Sequence, residues 1–216
     1  MIGAVILAAG MSKRMGVPKQ TLPFGDTSLL LYVVNKVLRA KVDSVIIVLG
    51  FEGEKIAEMF LNMPVKVVYN KDFSLGLSTS VKKGLRFFIE EAGIANQGER
   101  LGVLFVLGDQ PGVETSLINK LVDKFEQGGE IVAPFFNGKR GNPVLFSQKY
   151  FPLLLQIEGD QGARKILKQF PAEIQSVEVA DEKVFLDIDT PRDYLQVSLA
   201  RLKNLEDNSF LEGKRV

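Results

Sequence analysis

The feature that most constrains the fold is a set of five short apolar runs: Ala4–Leu7, Val45–Leu49, Val65–Tyr69, Val103–Leu107 and Ile131–Pro134. Most are rich in β-branched residues and continuous rather than alternating, the pattern of strands covered on both faces. Between them the apolar period becomes helical. Leu30, Val33, Val34, Val37 and Leu38 share one face behind an Asp26 or Thr27 cap. Leu77, Val81, Leu85, Phe88 and Ala92 form a second stripe, and Leu117, Leu121, Val122 and Phe125 a third. This alternation predicts an α/β fold with a mainly parallel sheet and helices on both faces.

The second half is less regular. Pro143–Phe146 reads as a strand, Asp160–Phe170 as a short helix, and Ser176–Ala180 and Val184–Leu186 as short strands. Thr190-Pro191 opens a last helix with proline in its first turn. No repeat, low-complexity tract or Pro/Gly-rich linker divides the chain. Residues 1–204 therefore read as a single domain and 205–216 as a polar C-terminal tail, in which Phe210 and Leu211 are apolar.

The 216 residues carry a net charge of +1, so no global basic field points to nucleic acid. Attraction for anions must be local. There is no cysteine and no histidine. That removes thiol nucleophiles, disulfides, Cys/His zinc sites, Ser-His-Asp triads and imidazole acid–base chemistry. Carboxylates, Lys, Arg, hydroxyls, backbone groups and a hard metal ion remain. The absence of cysteine fits a cytoplasmic protein. No signal peptide and no stretch of 18 apolar residues is present, so a membrane location is not expected.

The segment after the first strand combines small residues with three cations, Lys13, Arg14 and Lys19, and no acid. Small residues let backbone N–H groups approach phosphate oxygens, and Arg and Lys neutralise their charge. Two familiar phosphate patterns fail. Five residues separate Gly10 from Gly16, Val17 rather than Lys follows, and G-x-G-x-x-G is absent. Other polar residues fall at the carboxyl ends of predicted strands, where open parallel sheets bind ligands. Asn70 follows the third run, Asp109 the fourth, and Asp187 and Asp189 the last. Asp109 suits a Mg²⁺ ligand, and equally a turn or helix cap. An extended Asp187-Ile188-Asp189 places both acids on one side, so either could bind metal; Asp189 also suits a helix cap. Gly76 through Ser80 opens a helix with hydroxyls suited to an anion or a sugar. Arg140-Gly141-Asn142-Pro143 and Gly159 through Arg164 read as turns that could face a second substrate.

Taken in order, these motifs resemble the molybdenum cofactor nucleotidyltransferases. The resemblance runs through Leu7-Ala8-Ala9-Gly10-Met11-Ser12-Lys13-Arg14-Met15-Gly16 with Lys19, Asn70, and Gly76-Leu77-Ser78-Thr79-Ser80. It continues through Gly108-Asp109-Gln110-Pro111, Arg140-Gly141-Asn142-Pro143, Gly159-Asp160-Gln161-Gly162-Ala163-Arg164 and Asp187-Ile188-Asp189-Thr190-Pro191. The cytidylyltransferase branch is the nearest match. The resemblance implies a Rossmann-like, three-layer sandwich of glycosyltransferase-A type and Mg²⁺-dependent transfer of CMP from CTP to the phosphate of molybdopterin. It implies a triphosphate held by Leu7, Ala8, Ala9, Gly10, Ser12, Arg14 and Lys19, with Arg14, Lys19 and Asp109 in catalysis. Asn70, Gly76, Ser80 and Asp109 would complete the nucleotide site, and Asp109 and Asp189 would hold the metal. Arg140, Gly141, Asn142, Pro143 and Arg164 would bind the acceptor.

The guanylyl-transferring branch usually has Ala-Gly-Gly where this chain has Ala8-Ala9-Gly10, which points to CTP. Related cytidylyltransferases often carry His where this chain has Asn142. Molybdenum hydroxylase apoenzymes are implied as partners. Two alternatives are transfer to a sugar or alditol phosphate, and a non-catalytic molybdenum cofactor carrier or maturation factor.

Overall fold

A computed structural model describes residues 1–95 and 100–199. The tail expected over 205–216, with Phe210 and Leu211, lies outside the described residues. The strands are β1 (Ile2–Ala8), β2 (Pro23–Phe24), β3 (Thr27–Ser28), β4 (Ser44–Leu49), β5 (Lys66–Tyr69), β6 (Gly102–Leu107), β7 (Ile131–Phe136), β8 (Lys139–Arg140), β9 (Val144–Ser147) and β10 (Ile174–Glu178). The helices are α1 (Leu29–Leu38), α2 (Gly53–Ala57), α3 (Leu77–Ala95), α4 (Thr115–Glu126), α5 (Phe151–Leu154), α6 (Arg164–Gln169) and α7 (191–199).

One sheet runs β10-β7-β9-β6-β1-β4-β5, with β8 paired to β7, and β2 and β3 form a separate hairpin. β1 lies at its centre, parallel to both β4 and β6. β5 is parallel to β4 and β10 to β7, whereas β9 is antiparallel to β6 and β7 and β8 is antiparallel to β7. Every residue of β1 and β4 is buried, which accounts for their unbroken apolar sequence. Ile2, Ala4, Ile6 and Ala8 pack with α1, α2 and α4. Val5, Leu7 and Ala9 pack with α3, α5 and α6 on the other face. The fold is therefore the expected three-layer α/β sandwich.

Four local expectations change. Ser28, not Asp26 or Thr27, caps α1: its Oγ accepts from the Leu31 N–H at 3.3 Å. Asp26 and Thr27 belong instead to the β2–β3 hairpin region. Asp160–Phe170 is not one helix, because Gly162 at φ +51° separates a 3-10 turn (Gly159–Gln161) from α6. Val184–Leu186 is not a strand. Glu182–Phe185 forms a 3-10 turn whose Val184 packs on the core instead of joining the sheet. Leu77 begins the α3 stripe but remains 38% exposed, because it borders the cavity described next.

Candidate active site

A cavity of about 260 Å³ opens beyond the carboxyl ends of β1 and β6. Leu7, Ala8, Ala9 and Gly10 line it from β1, and Leu107, Gly108 and Asp109 from β6. Phe73, Gly76, Leu77 and Ser80 line it from the start of α3, with Lys19, Gln20 and Asp160 completing the wall. The loop after β1 is fixed by its own polar groups. Ser12 adopts φ +53°, its carbonyl accepts from Met15 N–H at 2.8 Å, and its Oγ accepts from Lys19 N–H at 3.1 Å. Gln20, only 3% exposed, donates from Nε2 to the carbonyls of Ala8 (2.8 Å) and Gly10 (3.1 Å). Two loop acceptors are thereby occupied, which lowers repulsion toward an anion. The side-chain amide oxygen of Gln20, Oε1, is buried without a hydrogen bond.

Lys19 is the electrostatic centre. Its Nζ donates to Asp109 and, at 2.9 Å, to Asp189 Oδ1. Burial alone would lower its pKa, but Asp109 and then Asp189 outweigh burial and hold it above the ordinary lysine value. Arg14 reaches Asp189 Oδ2 at 2.9 Å from a largely exposed position. Asp187 lies beside this cluster and accepts from Gln110 Nε2 at 2.8 Å. Burial first, and then the charge of Asp109, raises the Asp187 pKa.

The segment carrying Asp187 and Asp189 is held at its midpoint. Ile188 is fully buried and donates its N–H to the Asp109 carbonyl at 3.1 Å. Asp189 does not cap α7. Thr190 does, accepting from Asp193 N–H at 3.2 Å, while the Asp193 carboxylate accepts from Thr190 N–H at 2.8 Å. This reciprocal capping box leaves the Asp189 carboxylate to Lys19 and Arg14.

Asn70 is 3% exposed and is absent from the cavity wall. It donates from Nδ2 to Thr79 Oγ1 (2.8 Å) and Ser80 Oγ (2.9 Å), and its Oδ1 accepts from Asp72 N–H. Asn70 thus orients Ser80, which does line the cavity. Gly76 adopts φ +109° and ψ 169°, a region suited only to glycine. A Cβ there would lie 2.6 Å from the Gly159 carbonyl carbon and 2.8 Å from Asp160 Oδ1.

The expected acceptor residues lie outside the cavity wall. Arg140 is on β8, Gly141 donates to the Pro134 carbonyl at 2.8 Å, and Asn142-Pro143 leads into β9. The Phe185 ring fills the space where a Cβ on Gly141 would stand. Arg164 begins α6. Burial, and then the like charge of Arg164, lowers the Arg140 pKa. The Arg140 backbone pairs with Phe135 in the sheet, but its guanidinium has no hydrogen bond or ion pair among the described residues, so this pair of cations lacks a counter-charge.

Of the expected site residues, Leu7, Ala8, Ala9, Gly10, Lys19, Gly76, Ser80 and Asp109 therefore share one cavity. Ser12, Arg14, Asn70 and Asp189 reach it through hydrogen bonds. Gln20 and Asp160 were missed as cavity residues. A glutamine after a lysine reads as solvated, and the approach of Asp160 to Gly76 is set only by the tertiary fold.

The donor set fits a hard cation: Asp109 and Asp189 already converge on one positive charge, the Lys19 ammonium. Among the described residues no cluster of three or more Asp, Glu, His or Cys could enclose a metal alone. Two carboxylates, with substrate oxygens and water, match the usual Mg²⁺ arrangement. Among the described residues no helix is long and apolar enough to cross a membrane.

Comparison with known proteins agrees with this geometry. Residues 4–177 match the model of the MobA-like NTP transferase domain. The chain is 29% identical to the molybdenum cofactor cytidylyltransferase of Escherichia coli K12, over 90% of this chain and 94% of that protein. It is 28% identical to nicotine blue oxidoreductase of Paenarthrobacter nicotinovorans, over 88% of this chain and 92% of that protein. A crystal structure of Rv0371C from Mycobacterium tuberculosis H37Rv in complex with manganese superposes with a TM-score of 0.73 at 27% identity, covering 90% of this chain and 96% of that one. With the phosphate-suited loop, the paired carboxylates and the sheet topology in place, the chain belongs to the MobA-like NTP transferase family and is a nucleotidyltransferase.

Proposed function

We propose that the protein transfers CMP from CTP to the terminal phosphate of molybdopterin. The observation that carries this reading is the convergence of Lys19, Asp109 and Asp189 at the mouth of a cavity walled by Ala8, Ala9 and Gly10. An oxygen of the acceptor phosphate bonds to the α-phosphorus of CTP. The α-phosphorus bond to the bridging oxygen breaks, and pyrophosphate leaves with the electron pair. The acceptor is already anionic near neutral pH, so no strong base is needed, in keeping with a chain that has no histidine. Catalysis then consists of alignment and charge stabilisation.

Backbone N–H groups of Ala8, Ala9 and Gly10, with Ser12 shaping the loop, would cradle the triphosphate. Lys19 and Arg14 would leave the carboxylates to neutralise the departing pyrophosphate. Asp109 and Asp189 would hold Mg²⁺, which supplies Lewis-acid neutralisation of phosphate charge when bound. Gly76 and Ser80, positioned by Asn70, would contact the nucleoside. The uncompensated Arg140–Arg164 pair would bind the acceptor's anionic group, with Gly141, Asn142 and Pro143 shaping its loop. Ala9 supports CTP over GTP, and the cytidylyltransferase relative supports the same choice.

Pyrophosphate release tests the reading. CTP, GTP, ATP and UTP are each supplied with Mg²⁺ and with molybdopterin, a sugar phosphate or an alditol phosphate. Release with CTP and molybdopterin alone is expected. Preference for GTP would overturn the role of Ala9, and preference for a sugar phosphate would overturn the acceptor. Ala9→Gly should shift the preference toward GTP.

A further inference from the structure

We propose that Asp160 reads the ribose of the bound nucleoside triphosphate, accepting hydrogen bonds from its vicinal 2′- and 3′-hydroxyls and so selecting ribonucleotides over 2′-deoxyribonucleotides. The inference rests on the cavity being the nucleotide site, whichever base it takes.

The turn carrying Asp160 resembles part of an acceptor cleft in sequence, but the fold brings it to the nucleotide cavity. Asp160 lines that cavity with Gly76, Leu77 and Ser80. Its Oδ1 lies 2.8 Å from the point where a Cβ on Gly76 would stand, so only glycine there lets the carboxylate approach α3 so closely. Among the described residues nothing donates a hydrogen bond to this carboxylate or pairs with its charge. The other carboxylates at the rim are occupied: Asp109 and Asp189 by Lys19, and Asp187 by Gln110.

An ionised carboxylate only accepts hydrogen bonds, and it repels phosphate. The part of the nucleotide facing Asp160 must therefore offer donors and carry no negative charge. The triphosphate belongs at Lys19 and the loop after β1. The deepest polar groups, Gln20 and Ser80, are 3% and 4% exposed and suit a base enclosed in the cavity. Asp160 is exposed at the rim, where the ribose must bridge the base and the phosphates. Two adjacent carboxylate oxygens match two adjacent hydroxyls.

Equilibrium binding by titration calorimetry tests this with Mg²⁺ present and acceptor absent. Each of the four ribonucleoside triphosphates is compared with its 2′-deoxy counterpart for wild type, Asp160→Asn and Asp160→Ala. A hydrogen bond to a charged group predicts a ribose preference of about tenfold or more in wild type. In both variants that ratio should collapse toward unity, chiefly through weaker ribonucleotide binding, with melting temperatures unchanged. An unchanged ratio in folded variants would overturn the proposal. So would an intact ratio joined to a raised acceptor KM in a separate pyrophosphate-release assay, which would return Asp160 to the acceptor side. Failure of wild type to bind any nucleoside triphosphate would overturn both this inference and the nucleotide reading beneath it.

Discussion

Replacing Lys19 with methionine keeps most of the aliphatic stem and removes the one charge shared by Asp109 and Asp189. Breaking a fully buried ion pair from one side costs about 3–5 kcal/mol, whereas an exposed pair is worth about 0–1 kcal/mol. Here the lysine side chain is 15% exposed and its partners 19% and 36%. An intermediate cost of about 2 kcal/mol follows, because solvent screens the carboxylates in part. For a chain of this size that lowers the melting temperature by about 4–8 °C. Mg²⁺ should restore more stability to Lys19→Met than to wild type, since in wild type the ion must first displace the ammonium. Turnover should fall about 10³-fold or more, the scale for losing a positioned cation in phosphoryl transfer. The assays are urea unfolding with and without Mg²⁺, and pyrophosphate release. A variant with wild-type stability, no added response to Mg²⁺ and near-wild-type turnover would refute the reasoning.

Gly76→Ala places a methyl group against the Gly159 backbone at φ +109°; strain and clash together should cost about 3 kcal/mol of folding stability in urea unfolding, and calorimetry should show weaker nucleotide binding as the Asp160 turn is pushed away from α3. Thr190→Ala removes the α7 cap and should cost about 1 kcal/mol in urea unfolding, with weaker Mn²⁺ binding because Asp189 loses its fixed neighbour. Hydrogen bonds from Lys149, and then Tyr150, hold the Glu173 carboxyl below its ordinary value of 4.5. A depressed folded value means this stabilisation is present above pH 4.5 and is lost as pH falls through the folded value. Glu173→Gln should therefore flatten the acid limb of a stability–pH profile, and an unchanged limb would remove Glu173 as its source.

The layered fold was legible because burial on both faces writes an unbroken apolar run, and burial on one face writes a helical stripe. β1, β4 and the stripes of α1, α3 and α4 needed no more than that. Glu182–Phe185 misled because Val184 and Phe185 are apolar for a different reason: Phe185 covers the loop at Gly141 and Val184 the core edge, while Leu186 stays exposed. The antiparallel insertion of β9 between β6 and β7 was equally hidden, since a buried strand reads alike in either direction.

The sequence by itself determined the chemistry this protein can use. Without histidine or cysteine, and with a loop of small residues and cations, it is confined to anion binding, carboxylates and a hard metal. The tertiary structure decided which acids share a charge. Asp189 joined Lys19 because the Thr190–Asp193 capping box left it free and Ile188 is buried, while Gln110 took Asp187. It likewise brought Asp160 to the wall of the cavity beyond β1 and β6. These choices depend on distances between segments far apart in the chain, which only the packing of the sheet rim sets.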